Sequence, residues 1–374
     1  MKYSFTFNGW LGKVADDVTY KHMHTLGCIL ANYFKKNHTP GQKIVIGYDT
    51  RYFAKEFAEF MAAIMAKHEI KTFISNKPAP SSVLVSTSLY KKSMGTIVLT
   101  GDEHRPHFLG VRAFDNKGLP LHVDSLQSYS TSTMKYDGNY DTLQFKQGMS
   151  KGLIEPFDAF ISYKRVIENT LTFSNNGSCI NRTSFSPLYG SGVFYFGEIL
   201  DHHQFLGYNF HKTIVSDFNG MEPVPSLHTD ELYHCMLQEG SELGFMVSPD
   251  CSTFEFLIGP HKLSKPETLY LLCERLAKDG KTGTVLISDE YRIKVKNFER
   301  FGMKVQSVSN KGFQSTLAQQ QHLLALDHLG RVYFSEHGAA DALLVGYYLV
   351  DLFNDRSLTL AKIDQKVKML KEMF

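Results

Sequence analysis

The strongest constraint on the fold is an alternation of helix and buried-strand signals through the first hundred residues. Met23, Leu26, Leu30 and Tyr33 recur at helical spacing, and "KIVIGYD" (43–49) follows as the near-continuous apolar run of a strand buried on both faces. Phe57, Phe60, Met61 and Ile64 mark a second helix, and "KTFIS" (71–75) a second strand. "PAPSSVLVSTSLYKK" (78–92) opens with prolines and serines that suit a helix start, and "GTIVLT" (95–100) supplies the next strand. The order β-α-β-α-β predicts a doubly wound sheet, in which ligand sites lie past the carboxyl ends of strands.

"VLTGDEHRPHFLGVRAF" (98–114) runs past such an end. Asp102, Glu103, His104 and His107 offer carboxylates and imidazoles that could hold a metal or share a proton; the plainer reading is a solvated turn.

The same grammar recurs twice. "NRTSFSPLYGSG" (181–192), "KTIVSD" (212–217) and "GFMVSPD" (244–250) read as strands or strand ends, separated by helical stretches 193–205 and 229–242. "GTVLIS" (283–288), "MKVQSV" (303–308) and "RVYFSE" (331–336) alternate with helices expected near 290–301, 312–326 and 339–353. Three consecutive α/β domains are expected, at 1–152, 153–262 and 263–374, with a polar, turn-rich excursion at 115–141. "YGSGVFYFG" (189–197) and "KDGKTG" (278–283) lack the glycine spacing of nucleotide loops and read as ordinary turns. His202 and His203 read as packing or a solvated helix face.

With 40 basic and 38 acidic residues the formal charge is +2, too small a field to hold polyanions, so nucleic acid is not an expected partner. No run approaches a membrane span and the start lacks a signal-peptide core, so a cytoplasmic protein without membrane insertion is expected. Cys28, Cys179, Cys235, Cys251 and Cys273 are scattered and read as reduced packing residues.

"FNGWLGKVADD" (7–17), "VIGYDTR" (45–51), "PAP" (78–80) and the strand entering "LTGDEHRPHFLGVRAF" occur in the order and approximate spacing of the α-D-phosphohexomutases, the phosphoglucomutase and phosphomannomutase family, which the chain resembles. "SPLYGSG" (186–192), "LGFMVSPDCST" (243–253), "NKGFQS" (310–315) and "FSEHG" (334–338) extend the resemblance along the chain. It implies a phosphoserine that donates and recovers a phosphoryl group, a magnesium ion that neutralises charge on the transferring oxygens, a sugar loop and a fourth, phosphate-gripping domain.

Set against that pattern, the residues depart at each chemical position. Asp102 stands in place of the phosphoserine and Glu103 in place of the histidine beside it. The arginine of the amino-terminal Gly-Trp-Arg-Gly motif is Leu11, and the general-base lysine is Arg112, which cannot give up a proton near neutral pH. The metal loop is reduced to Asp250 among Ser248, Pro249, Cys251, Ser252 and Thr253, a poor set for magnesium. Arg51 and the sugar-loop residues Ser335, Glu336 and His337 are the expected substrate contacts, and the fourth domain is expected to be missing.

The resemblance therefore implies a catalytically inactive phosphohexomutase-like protein that works as a binding, scaffold or regulatory protein. A protein partner or a second copy of the chain is expected, with a sugar phosphate as a further ligand and no cofactor. The alternative is a repurposed or residual sugar-phosphate enzyme that uses the cleft around Asp102, with Asp250 and Glu336 contributing and Mg2+ as its cofactor.

Overall fold

The computed structural model describes residues 9–37, 41–121, 126, 142–173, 181–319, 321–354 and 360–374. Most of the 115–141 excursion, together with Cys179, Phe7 and Asn8, lies outside the described residues. These fall into two compact units, one from Met1–Val166 with Ile214–Pro223, the other from Ile167–Thr213 with Val224–Phe374.

The first unit is built on β1 (Trp10–Lys13), β2 (Ile44–Tyr48), β3 (Thr72–Ser75), β4 (Thr96–Thr100), β5 (Phe108–Phe114) and β6 (Ile154–Phe157), in the order β1-β5-β4-β2-β3-β6. β2 pairs in parallel with β3 and β4, and β3 with β6. β5 returns antiparallel to β4, and β1 antiparallel to β5, so the sheet is mixed rather than all parallel. Every residue of β2 and β4 is buried, as their unbroken apolar runs require. Helices Tyr20–Asn37 and Ala54–Lys67 bury Met23, Leu26, Leu30, Phe57 and Met61 in the same core as Ile46 and Leu99. Burying a side chain of this size contributes about 1.5–3 kcal/mol. The sixth strand comes from 154–157, just past the expected domain boundary.

The second unit holds two sheets. One contains β7 (Thr183–Ser186), β8 (Gly207–Asn209), β9 (Leu243–Val247), β10 (Phe254–Ile258) and β11 (His261–Lys262), in the order β11-β10-β9-β7-β8. The other contains β12 (Thr284–Ser288), β13 (Lys304–Val308), β14 (Leu324–Leu326) and β15 (Val332–Phe334), in the order β13-β12-β14-β15. β7, β8 and β9 are mutually parallel, as are β12, β13 and β14, whereas β10 and β15 return antiparallel. Helix Ala342–Phe353 is apolar apart from Asp351 and buried along its whole length, the behaviour of a helix wrapped by its domain. Its Tyr347 stacks on Phe196 at 4.8 Å, and its Asp351 takes a 2.7 Å ion pair from Arg275 of helix Lys265–Lys278.

Three expectations are corrected. No strand forms at 212–217; the strand is β8, five residues earlier, and Ile214 is exposed because 214–223 leaves the sheet and belongs to the first unit. The helix expected over 312–326 ends at Ala318, and Leu324–Leu326 pairs with β12, a short apolar run whose periodicity does not separate helix from strand. The helix near 290–301 shrinks to the single turn Lys296–Glu299.

Candidate functional site

Because β2 and β4 are parallel neighbours, Asp49 and Thr100 emerge side by side at the carboxyl edge of the first sheet. The Asp49 carboxylate accepts from the Thr100 hydroxyl at 2.7 Å, the Gly101 amide at 3.3 Å, the Arg51 amide at 2.9 Å and Arg51 Nε at 3.2 Å. The rest of the Arg51 guanidinium reaches across the loop and donates to the carbonyls of Asp102 (2.6 Å), Arg105 (2.8 Å) and Phe108 (3.2 Å). Both side chains are fully enclosed. Removing two charges from water costs several kcal/mol each, which such a pair offsets only when further hydrogen bonds satisfy both groups, as they do here. Arg51 was expected to touch substrate; its donors instead build the loop.

The frame admits no side chain at Gly101, where a Cβ would stand 2.7 Å from Arg51 Cζ and 2.5 Å from the Phe108 carbonyl. Asp102 follows with φ +55°, a left-handed conformation that Asp tolerates better than most residues, and its amide donates to Thr100 Oγ1 at 3.1 Å. Asp102 and Glu103 are half-buried, while His104, Arg105 and His107 are exposed. Two residues that sequence reasoning missed complete the loop. Phe218 lies 4.9 Å from the Arg51 guanidinium and Glu222 pairs with Arg105 at 2.9 Å, both from 214–223. No local signal in the sequence marks them. Leu11 pairs with Gly110 in the β1–β5 ladder, and Arg112 is buried on β5, 5.4 Å from the Phe114 ring.

In the second unit, the loop 248–253 joins β9 to β10 at the carboxyl edge of its sheet. Its single carboxylate turns inward: Asp250 Oδ1 accepts from the Ser248 hydroxyl (3.1 Å), the Ser252 amide (3.2 Å) and the Ser252 hydroxyl (2.9 Å). Ser248 Oγ in turn accepts from the amides of Ser252 and Thr253. Ser191 donates twice to the Pro249 carbonyl, and the approach is so close that a Cβ on Gly190 would stand 2.2 Å from Pro249 Cα. Asp250, Ser248 and Ser252 are buried, and burial with the nearby Asp250 and Asp341 carboxylates holds the Cys251 thiol well above its ordinary pKa. Magnesium seeks several carboxylate or water oxygens in octahedral array. One inward carboxylate among neutral hydroxyls and a protonated thiol does not fit it.

The third sheet corrects the expected sugar loop. β15 runs antiparallel, so Ser335, Glu336 and His337 follow it at the amino edge of the parallel strands. His337 is buried there, with Nδ1 3.2 Å from Asp341 Oδ2 and Nε2 3.3 Å from Thr170 Oγ1. Asp341 also caps helix Ala342–Phe353 through the Leu344 amide at 3.1 Å. The turn at the carboxyl edge is instead 327–331, after β14. Asp327 accepts from the amides of Leu329 and Arg331, from Arg331 Nε at 2.7 Å and from the Tyr333 hydroxyl at 3.0 Å. Asp327 and Arg331 are buried, and His328 and Leu329 are presented outward. This turn escaped sequence reasoning because β14 did; the strand would have revealed it.

The four described cysteines are free thiols. Among the described residues no helix is long and apolar enough to cross a membrane.

Comparison with known proteins gives this geometry a context. Residues 2–137 match the family model for phosphoglucomutase/phosphomannomutase, alpha/beta/alpha domain I. A phosphoglucomutase of Staphylococcus aureus strain USA300 is 24% identical over 185 residues, which are 48% of this chain and 32% of that protein. One from Staphylococcus epidermidis is 27% identical over 88 residues, 24% of this chain and 16% of that protein. The matches thus span a third or less of these relatives' length. Solved structures resemble the chain far more widely. A Thermus thermophilus protein assigned as a phosphomannomutase aligns with a TM-score of 0.82 at 18% identity, covering 98% of this chain and 84% of its own. A phosphoglucomutase/phosphomannomutase family protein of Burkholderia thailandensis aligns at 0.81 and 15% identity, covering 100% and 80%.

Proposed function

We propose that the chain, which matches the phosphoglucomutase/phosphomannomutase model over residues 2–137 and shares the fold of such proteins along its length, is a binding member of the α-D-phosphohexomutase family which does not transfer phosphoryl groups. The observation that carries this reading is the contrast between a retained frame and altered chemistry. Asp49, Arg51 and Thr100 hold the 101–108 loop in a defined shape, yet the residue at its turn, Asp102, has no hydroxyl to carry phosphate. The 248–253 loop, where the resemblance puts a metal, is hydrogen-bonded inward. A loop whose shape is held while its reactive groups are replaced fits ligand recognition better than turnover.

Two classes of ligand suit the exposed residues. A sugar phosphate would meet Arg105, His104 and His107 at the loop tip, where a guanidinium and imidazoles can hold phosphate oxygens. A protein partner would meet exposed aromatic surface such as Tyr20 and Phe53, both packed against Phe57. A second reading rests on the half-buried carboxylate of Asp102, which could accept a phosphoryl group as an acyl phosphate and leave a residual sugar-phosphate enzyme.

One experiment separates these readings. The purified chain is incubated with glucose 1-phosphate and mannose 1-phosphate, with and without the 1,6-bisphosphates and magnesium, and followed by phosphorus NMR and intact mass. The expected result is no isomerisation and no phosphorylated chain, with a thermal shift only where a sugar phosphate binds. Isomerisation, or an 80-dalton adduct (roughly one phosphoryl group) at Asp102, overturns the proposal in favour of the enzyme.

A further inference from the structure

Two helices end near each other in the second unit, and both ends carry metal-ligating side chains. Glu168 stands in the last turn of helix Ala159–Thr170, His202 is the last residue of helix Phe196–His202, and His203 follows it. The carboxylate of Glu168 and a ring nitrogen of each histidine all lie within 4.8 Å of one another, with Glu168 Oε1 3.7 Å from His202 Nε2. We infer that Glu168, His202 and His203 form a three-ligand site for a zinc-class divalent transition metal.

The donor set selects the metal. Two imidazoles and one carboxylate match the borderline-soft ions, zinc foremost, whereas magnesium and calcium seek oxygen alone. Bonds of about 2.0–2.2 Å at tetrahedral angles put ligand atoms roughly 3.4 Å apart, so the most widely separated atoms of the cluster must close by up to about 1.4 Å. Glu168 and His202 are exposed and can make it by side-chain rotation. The half-buried His203 is the less adjustable member, its ring packed 4.1 Å from that of Phe173 and nearly perpendicular to that of His202. Three protein ligands leave one position for water.

Electrostatics favours a cation at this place. Helix carboxyl ends carry partial negative charge, and two of them converge here. Glu168, a carboxylate in the last turn, adds to that charge. This inference stands apart from the loops of the proposed function and does not require a mutase or a sugar phosphate.

The test uses the full chain, stripped of metal with a chelator and titrated with zinc chloride by calorimetry and by competition with a chromophoric chelator. One saturable equivalent is expected, undisturbed by millimolar magnesium. His202→Ala, at an exposed position where folding is checked by circular dichroism, should weaken it by at least about tenfold, the loss that even outer-shell partners cause. The His202→Ala/His203→Ala double variant should abolish it, and Glu168→Gln should weaken it less. Cobalt in place of zinc should give the visible absorption of a four-coordinate site. No saturable equivalent, or unchanged affinity in the double variant, overturns the inference.

Discussion

The loops at 101–108 and 248–253 occupy corresponding places, each past a buried strand at the carboxyl edge of its sheet, yet they use their buried carboxylates in opposite ways. In the first, Asp49 directly follows the neighbouring strand β2 and works with Arg51 to hold a loop whose outer residues face solvent. In the second, the carboxylate belongs to the loop itself, and Asp250 gathers its own neighbours into a closed turn. A loop can thus be held by a frame that leaves its tip open, or closed by a turn that satisfies itself. The lesson is that whether a loop is open or closed is read from where its buried acceptors point, not from how many charged residues it holds.

The largest expected effect comes from breaking the frame. Asp49→Ala leaves Arg51 charged and enclosed without its partner, and should lower the unfolding free energy by about 3–5 kcal/mol, measured by urea denaturation. Asp250→Ala removes one acceptor shared by two hydroxyls and an amide and should cost less, about 1–3 kcal/mol. Equal losses would remove the distinction between a frame that organises a whole loop and a local turn. Magnesium supplies a second way to break it. Adding the ion should leave the melting temperature of wild type and Asp250→Ala alike, and a magnesium stabilisation that the variant loses would restore the second loop as a metal site.

The location of the frame was legible in the sequence, though its role was not, because its parts lie next to strong strand signals: "GYDTR" contains both Asp49 and Arg51, which was expected on substrate, and Asp102 follows an unbroken apolar strand. The open tip was legible for the same reason. Phe218 and Glu222 were not, because they reach the loop from more than a hundred residues away, on an irregular segment without periodicity. The 327–331 turn was lost with Leu324–Leu326, three buried residues too few to show a period. That miss moved the expected sugar loop to the wrong edge of the sheet, because an antiparallel return reverses which end of a strand faces the site. Glu168 was missed, and His202 and His203 were read as packing or a solvated face, for a different reason: each helix is an ordinary amphipathic or short one, and only the meeting of two helix ends unites them.

Smaller effects sharpen the contrast at the loop tips. Arg105→Ala removes an exposed ion pair to Glu222 and should change stability by less than about 1 kcal/mol, since solvent and salt screen it. Any thermal shift from a sugar phosphate should nevertheless shrink in the variant, because the guanidinium stands at the open end of the framed loop. A stability loss as large as that of Asp49→Ala would mean that the tip belongs to the frame.

The closed loop offers the opposite control, for which the expected effect is none. Cys251 sits at φ +56° with its side chain fully buried, and burial together with Asp250 and Asp341 pushes its thiol well above the ordinary range. Alkylation requires the thiolate, so iodoacetamide should leave Cys251 unmodified in the native chain from pH 7 to about 9, as read by peptide mass spectrometry. Partly exposed Cys235 is an internal comparison, since its thiol is raised by burial but remains in contact with solvent. In Asp250→Ala the turn loses its central acceptor, and labelling of Cys251 should begin under the same conditions. Labelling in the wild type at the rate of Cys235 would show a loop that opens freely, and the two loops would then differ in sequence but not in accessibility.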